Sequence, residues 1–388
     1  MSEVLTRIFG FIDSPEERPW VAMGAFAIFV MLGCLWIHQA QVLPGVSSTE
    51  TGLKSTIIDM KWNAEGTEAL ALVSSDSNFE LMLRSANGDW SSIDCQCNPL
   101  SIGGSTNSWV VGGENGWFGH MSPESQNLMP RSLEWPGVAP DIISLDGDIS
   151  SGWMIVEGGN GIRSVQTWNS LQVSNSSTSP LESVILTEIE AISSGALIIG
   201  YDLSAGNPAD GPTAEVLIAA TSTLESPQLD LLHLGAGSIL HTIIPIYNGP
   251  WASTFVAIVA GGDSVYGVQM DHSVHRIPGA SGSETIAMDD NGALWMSEGS
   301  NVETFGMGDS ESQNVVLPEN VDIDTSFSAG ENIVMLSSDG SVRITIDPSA
   351  QHSVLQSLQL LGDLILILIL IAFAGFGGFS LLNKHEVI

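Results

Sequence analysis

The chain has 388 residues, with ten Lys and Arg against 44 Asp and Glu, for a formal net charge of −34. So few cations leave no basic stripe to neutralise phosphates, which disfavours nucleic acid and anionic lipid surfaces as partners and favours basic partners or divalent cations. Three cysteines are too few for a disulfide scaffold.

Residues 1–19 form a short N-terminal segment. Val4, Leu5, Ile8, Phe9, Phe11 and Ile12 suit a helix lying at a membrane surface, and Ser14-Pro15 is a helix-start signal. Trp20–Ile37 then runs 18 residues without a charge, enough to cross the hydrocarbon as a helix. A cleaved signal peptide ending at Ala40 and a lipoprotein modified at Cys34 are the alternatives. The first places His38 where a small residue is wanted, and in the second Leu35-Trp36-Ile37 continue the apolar run. Residues 38–53 read as a linker.

A repeated signature follows. Ala69–Leu83, Trp109–Met121, Trp153–Trp168, Phe255–Met270, Ala293–Met307 and Ile333–Ile346 are each an apolar run, a tight polar turn and a second apolar run, and Ala196 opens a looser copy. Successive starts lie 40, 44, 43, 59, 38 and 40 residues apart. The long step contains Gly206–Pro212, an insertion between two strands of one unit. Each copy is a hairpin, and a period of about 40 is that of a four-stranded propeller blade. The fold class expected is all-β, a seven-bladed β-propeller over residues 54–350, flanked by two transmembrane α-helices. A strand within Thr49–Ile58 is expected to join the last blade and close the ring.

Within the repeats, Cys95 and Cys97 are two residues apart. They can form a bridge, remain two thiols, or hold a metal with two further ligands that the neighbouring sequence does not supply. Asn175-Ser-Ser177 is a glycosylation acceptor in a polar loop. Asp146-Gly-Asp148, Asp289–Gly292, Asp322-Ile-Asp324 and Asp339-Gly340 are oxygen-rich, and calcium is the one metal they suit. Each also reads as an ordinary hairpin turn, and none matches a full calcium loop. His272 and His275, three apart on a strand, face opposite sides and do not chelate together.

Residues 351–363 are a second linker. Leu364–Leu382 is again free of charge over 19 residues, and residues 383–388 end the chain. Arg7 and Arg18 precede the first span and Lys384 follows the second, whereas the other flanks have no Lys or Arg. Both termini are therefore expected in the cytoplasm and the propeller outside it. Gly24 on one span and Ala374, Gly375 and Gly378 on the other offer small-residue faces for helix packing.

Several units resemble known propeller families. Ser108–Met121 (SWVVGGENGWFGHM) resembles the strand pair of sialidase-type (BNR) repeats and of photosystem-assembly-factor-like propellers. Ser85, Asn87, Gly88 and Trp90 resemble a degenerate Asp-box. Ile57–Leu83 looks like the opening of a WD-repeat blade, although no Trp-Asp dipeptide occurs. The resemblance implies the fold and not an activity. A sialidase site needs a tyrosine nucleophile and an arginine triad, and here Tyr201, Tyr247 and Tyr266 are the only tyrosines and the arginines are scattered. The expectation is a non-enzymatic scaffold at the cell envelope, bound to the bilayer and to an envelope or membrane protein, with no catalytic, cofactor or metal residue assigned. A glycan-binding protein or hydrolase working through the central pocket is the alternative.

Overall fold

The structure is a computed structural model. It describes residues 45–349, apart from 54, 64, 76–77, 106–107, 123–126, 205–213, 224, 281 and 339, together with Gly33 and Ile367. The expected cytoplasmic segments, both spans (save for those two residues), and Gly24, Ala374, Gly375 and Gly378 lie outside the described residues. Among the described residues no helix is long and apolar enough to cross a membrane.

Seven antiparallel sheets follow one another along the chain, each running from an inner strand outwards in chain order. The inner strands of blades 1 to 7 are Thr56–Trp62, Pro99–Ser105, Asp141–Gly147, Val184–Ile192, Leu240–Pro245, Thr285–Met288 and Ile323–Ala329. Each touches the next, and the seventh touches the first, so the inner strands enclose an axis. The short strand Ser177–Thr178 adds a fifth strand to blade 3.

The second strand of each blade explains the apolar runs in the sequence. Ala69–Val73, Trp109–Val111, Met154–Val156, Ala196–Ile199, Ala257–Ala260, Leu294–Met296 and Ile333–Leu336 are buried throughout. A strand between two neighbouring blades is covered on both faces and has no polar side to alternate with. Each large aliphatic side chain so covered contributes about 1.5–3 kcal/mol. Tryptophans fill the widest gaps. Trp168 of blade 3 packs on Phe118 of blade 2 with ring centroids 5.3 Å apart, and its indole N–H donates to the Asp148 carbonyl at 3.0 Å. Trp295 donates to Asp289 Oδ2 at 2.9 Å, while Asp289 Oδ1 accepts the backbone N–H groups of Asn291 and Ala293.

The ring closes with strand Val46–Glu50, which pairs antiparallel with Val342–Ile346 as the outermost strand of blade 7. Thr51 N–H adds a bond to the Ser341 carbonyl at 2.8 Å, and Asp347 N–H one to the Gly45 carbonyl at 3.0 Å. The first and last β segments thus share a sheet. The closing strand lies earlier than Thr49–Ile58, because Thr56–Trp62 is already the inner strand of blade 1. The compact unit runs from Gly45 to Pro348 and takes in part of the stretch read as a linker. A lone strand completed by the far end of the chain has no hairpin of its own to mark it.

Six of the seven inner strands carry a β-bulge near their start, at Ile57/Asp59, Pro99/Ser101, Ile142/Ser144, Leu186/Glu188, Leu240/Thr242 and Ile323/Thr325. The bulge sets a common register. Asp59, Ser101, Ser144, Glu188, Thr242 and Thr325 occupy one tier, and Lys61, Gly103, Asp146, Glu190, Ile244 and Phe327 the next.

Candidate functional site in the axial channel

The two tiers bring together charges that lie far apart in sequence. Lys61 Nζ of blade 1 is 2.8 Å from Glu190 Oε1 of blade 4. Blades 1 and 4 are not neighbours, so this ion pair spans the axis. Asp59 and Glu188 sit two residues before the pair on the same strand faces. Asp146 of blade 3 completes the group and also stitches the ring: Oδ1 accepts the Gly104 N–H of blade 2 at 3.1 Å, and Oδ2 the Ala191 N–H of blade 4 at 2.8 Å. In the tier below, Ser144 Oγ accepts the Ile189 N–H at 3.1 Å and Ser101 Oγ donates to the Ile142 carbonyl at 3.0 Å. The exposed Tyr247, just past the inner strand of blade 5, donates to the Ala191 carbonyl at 3.1 Å.

The electrostatics follow from four carboxyls and one ammonium in a confined space. Burial pushes the Glu188 carboxyl up to about 8; Lys61 opposes the shift and Asp59 and Asp146 add to it. Burial also raises Glu190 well above the usual carboxylate range, with Asp146 reinforcing and Lys61 opposing. Asp59 is raised by burial against the pull of Lys61. For Lys61, burial disfavours the charge, but Glu190, Asp59 and Asp146 more than reverse this and hold the ammonium protonated. The channel can therefore keep a neutral carboxylic acid beside the Lys61 ammonium at neutral pH, an arrangement able to donate a proton or a hydrogen bond.

A second buried polar group joins blades 4 and 5. Glu215, 3% exposed, accepts from Tyr266 Oη at 2.5 Å and lies 3.0 Å from His233 Nε2. Burial raises the Tyr266 hydroxyl, and its bond to Glu215 adds to the shift, so it stays a neutral donor. The cluster lies within the wall between blades, where its hydrogen bonds fasten the two sheets.

The residues singled out from the sequence fall in several places. Cys95 and Cys97 are joined as a disulfide, with Cα atoms 5.1 Å apart. Asn175 is exposed, and Ser177 of its tripeptide donates to the Pro227 carbonyl. Asp148 takes the N–H groups of Ser150 and Ser151 as a turn, and Asp289 does the same work in its hairpin. Among the described residues no group of three or more His, Cys, Asp or Glu is placed to hold a metal ion. His272 is a turn residue with φ 67°, and His275 lies on the short outer strand Val274–Arg276. Among the acids singled out, Asp146 belongs to the channel, as an inner-strand acceptor. Asp59, Lys61, Glu188 and Glu190 have one signal in the sequence: charged residues at alternate positions of an apolar strand, in Ile58-Asp-Met-Lys-Trp62 and Leu186-Thr-Glu-Ile-Glu190.

No family model matches the chain, and no curated protein matches it. Solved structures do match. The WD40 β-propeller domain of Doa1 is similar with a TM-score of 0.51 and 14% identity, over 80% of this chain and 99% of that one. YCF48 bound to D1 peptide is similar at 0.51 and 14%, over 78% and 97%. The chain is a seven-bladed β-propeller. Streptogramin B lyase is similar at 0.50 and 11%, over 77% and 96%. At these identities the likeness shows the fold alone.

Proposed function

We propose that this propeller is a membrane-anchored, extracytoplasmic scaffold that binds another protein of the cell envelope. The observation that carries the reading is the outer strand of blade 4, Gln228–Ala236. It bears Leu231 and Leu234, 38% and 47% exposed. A β-bulge opposite Leu217/Ile218 turns Leu232 and His233 together towards blade 5, where Leu232 joins the apolar core and His233 meets Tyr266. Leu231 and Leu234 are thereby left on the same outward side. Met129, on the outer strand of blade 2, is 47% exposed. Apolar side chains on exposed sheet edges are the features by which a propeller offers binding surface without a catalytic pocket. One structural neighbour is a peptide-bound propeller, which is consistent with a protein partner. Anchoring rests on the uncharged stretches 20–37 and 364–382 and on the placement of Arg7, Arg18 and Lys384. Two ends of the domain that lie side by side, at Gly45 and Asp347, suit such paired anchors.

Affinity capture of the intact chain from membranes in mild detergent tests this reading. A reproducible partner that is lost when Leu231 and Leu234 are both changed to Asp supports it. Tags on the two termini should both be shielded in right-side-out cells. Partner capture that ignores both substitutions, or tags reached from opposite sides, overturns it.

A second reading, glycan binding or hydrolysis through the channel, is favoured by the raised Glu188 carboxyl beside the Lys61 ammonium, since a carboxylic acid held neutral is the kind of group that protonates a leaving oxygen. Purified monomer that binds or cleaves glycans, with loss of activity in Glu188→Gln, would establish it in place of the scaffold.

A further inference from the structure

The chain has only ten cations, yet two of them converge on one tryptophan. The guanidinium carbons of Arg84, from blade 1, and Arg343, from blade 7, each lie 5.2 Å from the Trp62 ring centroid. They are therefore no further apart than twice that distance, and they repel. Among the described residues neither makes an ion pair with a carboxylate. Arg84 donates one N–H to the Thr67 carbonyl at 2.7 Å. Arg343 Nε is buried with no hydrogen-bond partner, and so is Nε1 of Trp62, a residue only 6% exposed. Both side chains face a cavity of about 300 Å³ at the seam between the closing strand and blade 1. That volume is at the lower end of small-molecule sites.

The energetics of this seam lack a partner. Desolvating a guanidinium without a counter-charge is costly, as is a buried N–H with no acceptor. Burial, with the neighbouring Arg84 acting in the same direction, lowers the Arg343 guanidinium to about 10. Burial alone lowers Arg84. The protein has 44 acids against ten Lys and Arg, yet among the described residues none pairs with either arginine. Among the described residues that line the cavity the one acid is Glu50 of the closing strand, and it is exposed. The rest of the wall is mixed: Thr49, Thr51 and Asn87 are polar, and of the apolar residues Met60, Trp62 and Leu336 are buried while Trp90 is half-buried.

We infer that this cavity is a binding site for a small organic carboxylate with an apolar or aromatic body. The carboxylate would accept from the terminal N–H groups of Arg84 and Arg343, and the body would lie against Trp90. Guanidinium forks match a carboxylate in geometry as well as charge. An inorganic anion would meet the charge and leave Trp90 uncovered. The site is formed only when the closing strand is in place, because Thr49, Glu50 and Thr51 supply part of the wall.

Isothermal titration calorimetry of the full chain in detergent tests the inference, with 3-phenylpropionate as probe and 3-phenylpropanol and inorganic phosphate as comparisons. Saturable one-to-one binding of phenylpropionate is expected, at least about tenfold tighter than either comparison, which is about 1.4 kcal/mol. Arg343→Gln and Arg84→Gln should each weaken it about tenfold or more, and Arg131→Gln, outside the cavity, should leave it unchanged. Circular dichroism confirms that each variant is folded. If Arg343→Gln does not fold, Arg84→Gln decides. Equal binding of the neutral alcohol, tighter binding of phosphate, or no saturable binding of phenylpropionate by the folded wild-type chain would each overturn the inference.

Discussion

Lys61 of blade 1 and Glu190 of blade 4 meet at 2.8 Å across the axis of the propeller. The two blades share no strand pairing, so the side chains make a direct link across the ring. The pair keeps slight solvent contact, 25% and 12% by side chain, and its strength lies between that of an exposed pair and a fully buried one.

Removing the ammonium should therefore cost more than losing a surface ion pair. Lys61→Met leaves Glu190, Glu188, Asp59 and Asp146 without their cation. A loss of about 2 kcal/mol is expected, between the ~0–1 of exposed pairs and the ~3–5 of buried ones. The double variant Lys61→Met/Glu190→Leu should recover at least half of that, and the shift in denaturant midpoint reads both.

The raised Glu188 carboxyl sets the sign of a pH dependence. Its pKa is pushed up to about 8 in the folded chain from the ordinary glutamate value of 4.5. Between those values the folded state holds more protons than the unfolded state, so stability falls as pH rises through that window. Glu190 and Asp59, raised in the same direction, add to the fall. Denaturation at pH 5, 6.5 and 8 should show a steady decline, and Glu188→Gln should flatten it and stabilise the protein most at pH 8. A decline of unchanged slope in the variant would show that Glu188 is not its source.

Gly103 stands where the other inner strands carry side chains, and the reason is contact. A Cβ there would lie 2.0 Å from the Leu145 carbonyl oxygen of blade 3. That obstruction is backbone and cannot rotate away. Gly103→Ala is expected to cost at least about 3 kcal/mol, at the upper end of overpacking effects. Thermal unfolding should show a drop far larger than for alanine at an exposed turn glycine such as Gly159, which meets nothing within 4 Å.

The Cys95–Cys97 disulfide closes a very short loop, so it removes little unfolded-state entropy. Changing both residues to Ser should cost no more than about 1–2 kcal/mol. Alkylation without reductant should leave both thiols unmodified, and mass spectrometry of the peptide containing them reads this directly.

The sequence reveals some of this architecture and hides the rest for physical reasons. Strands sandwiched between blades, such as Trp109–Val111 and Ile333–Leu336, must be apolar on both faces, and that makes the repeat visible. Short outer strands such as Val274–Arg276 have one wet face and little pattern. The closing strand Val46–Glu50 is mostly polar and exposed, and its partner lies nearly 300 residues on. The channel group is harder still to see. Lys61, Asp146 and Glu190 come from three blades, and only the circular arrangement brings them together. Asp146-Gly-Asp148 reads as a turn or a calcium ligand because local sequence cannot say that Asp146 faces an axis.

The latch of blade 7 has a mechanical corollary. Val46 opposes Ile346, and the chain departs from the sheet just beyond each of them. Tension applied between those departures bears on one rung at a time, peeling the ladder from Val46 towards Glu50 rather than shearing all its rungs together. A load that draws the flanks apart would open the circle at its seam first, and a clasp that holds them together would spare it.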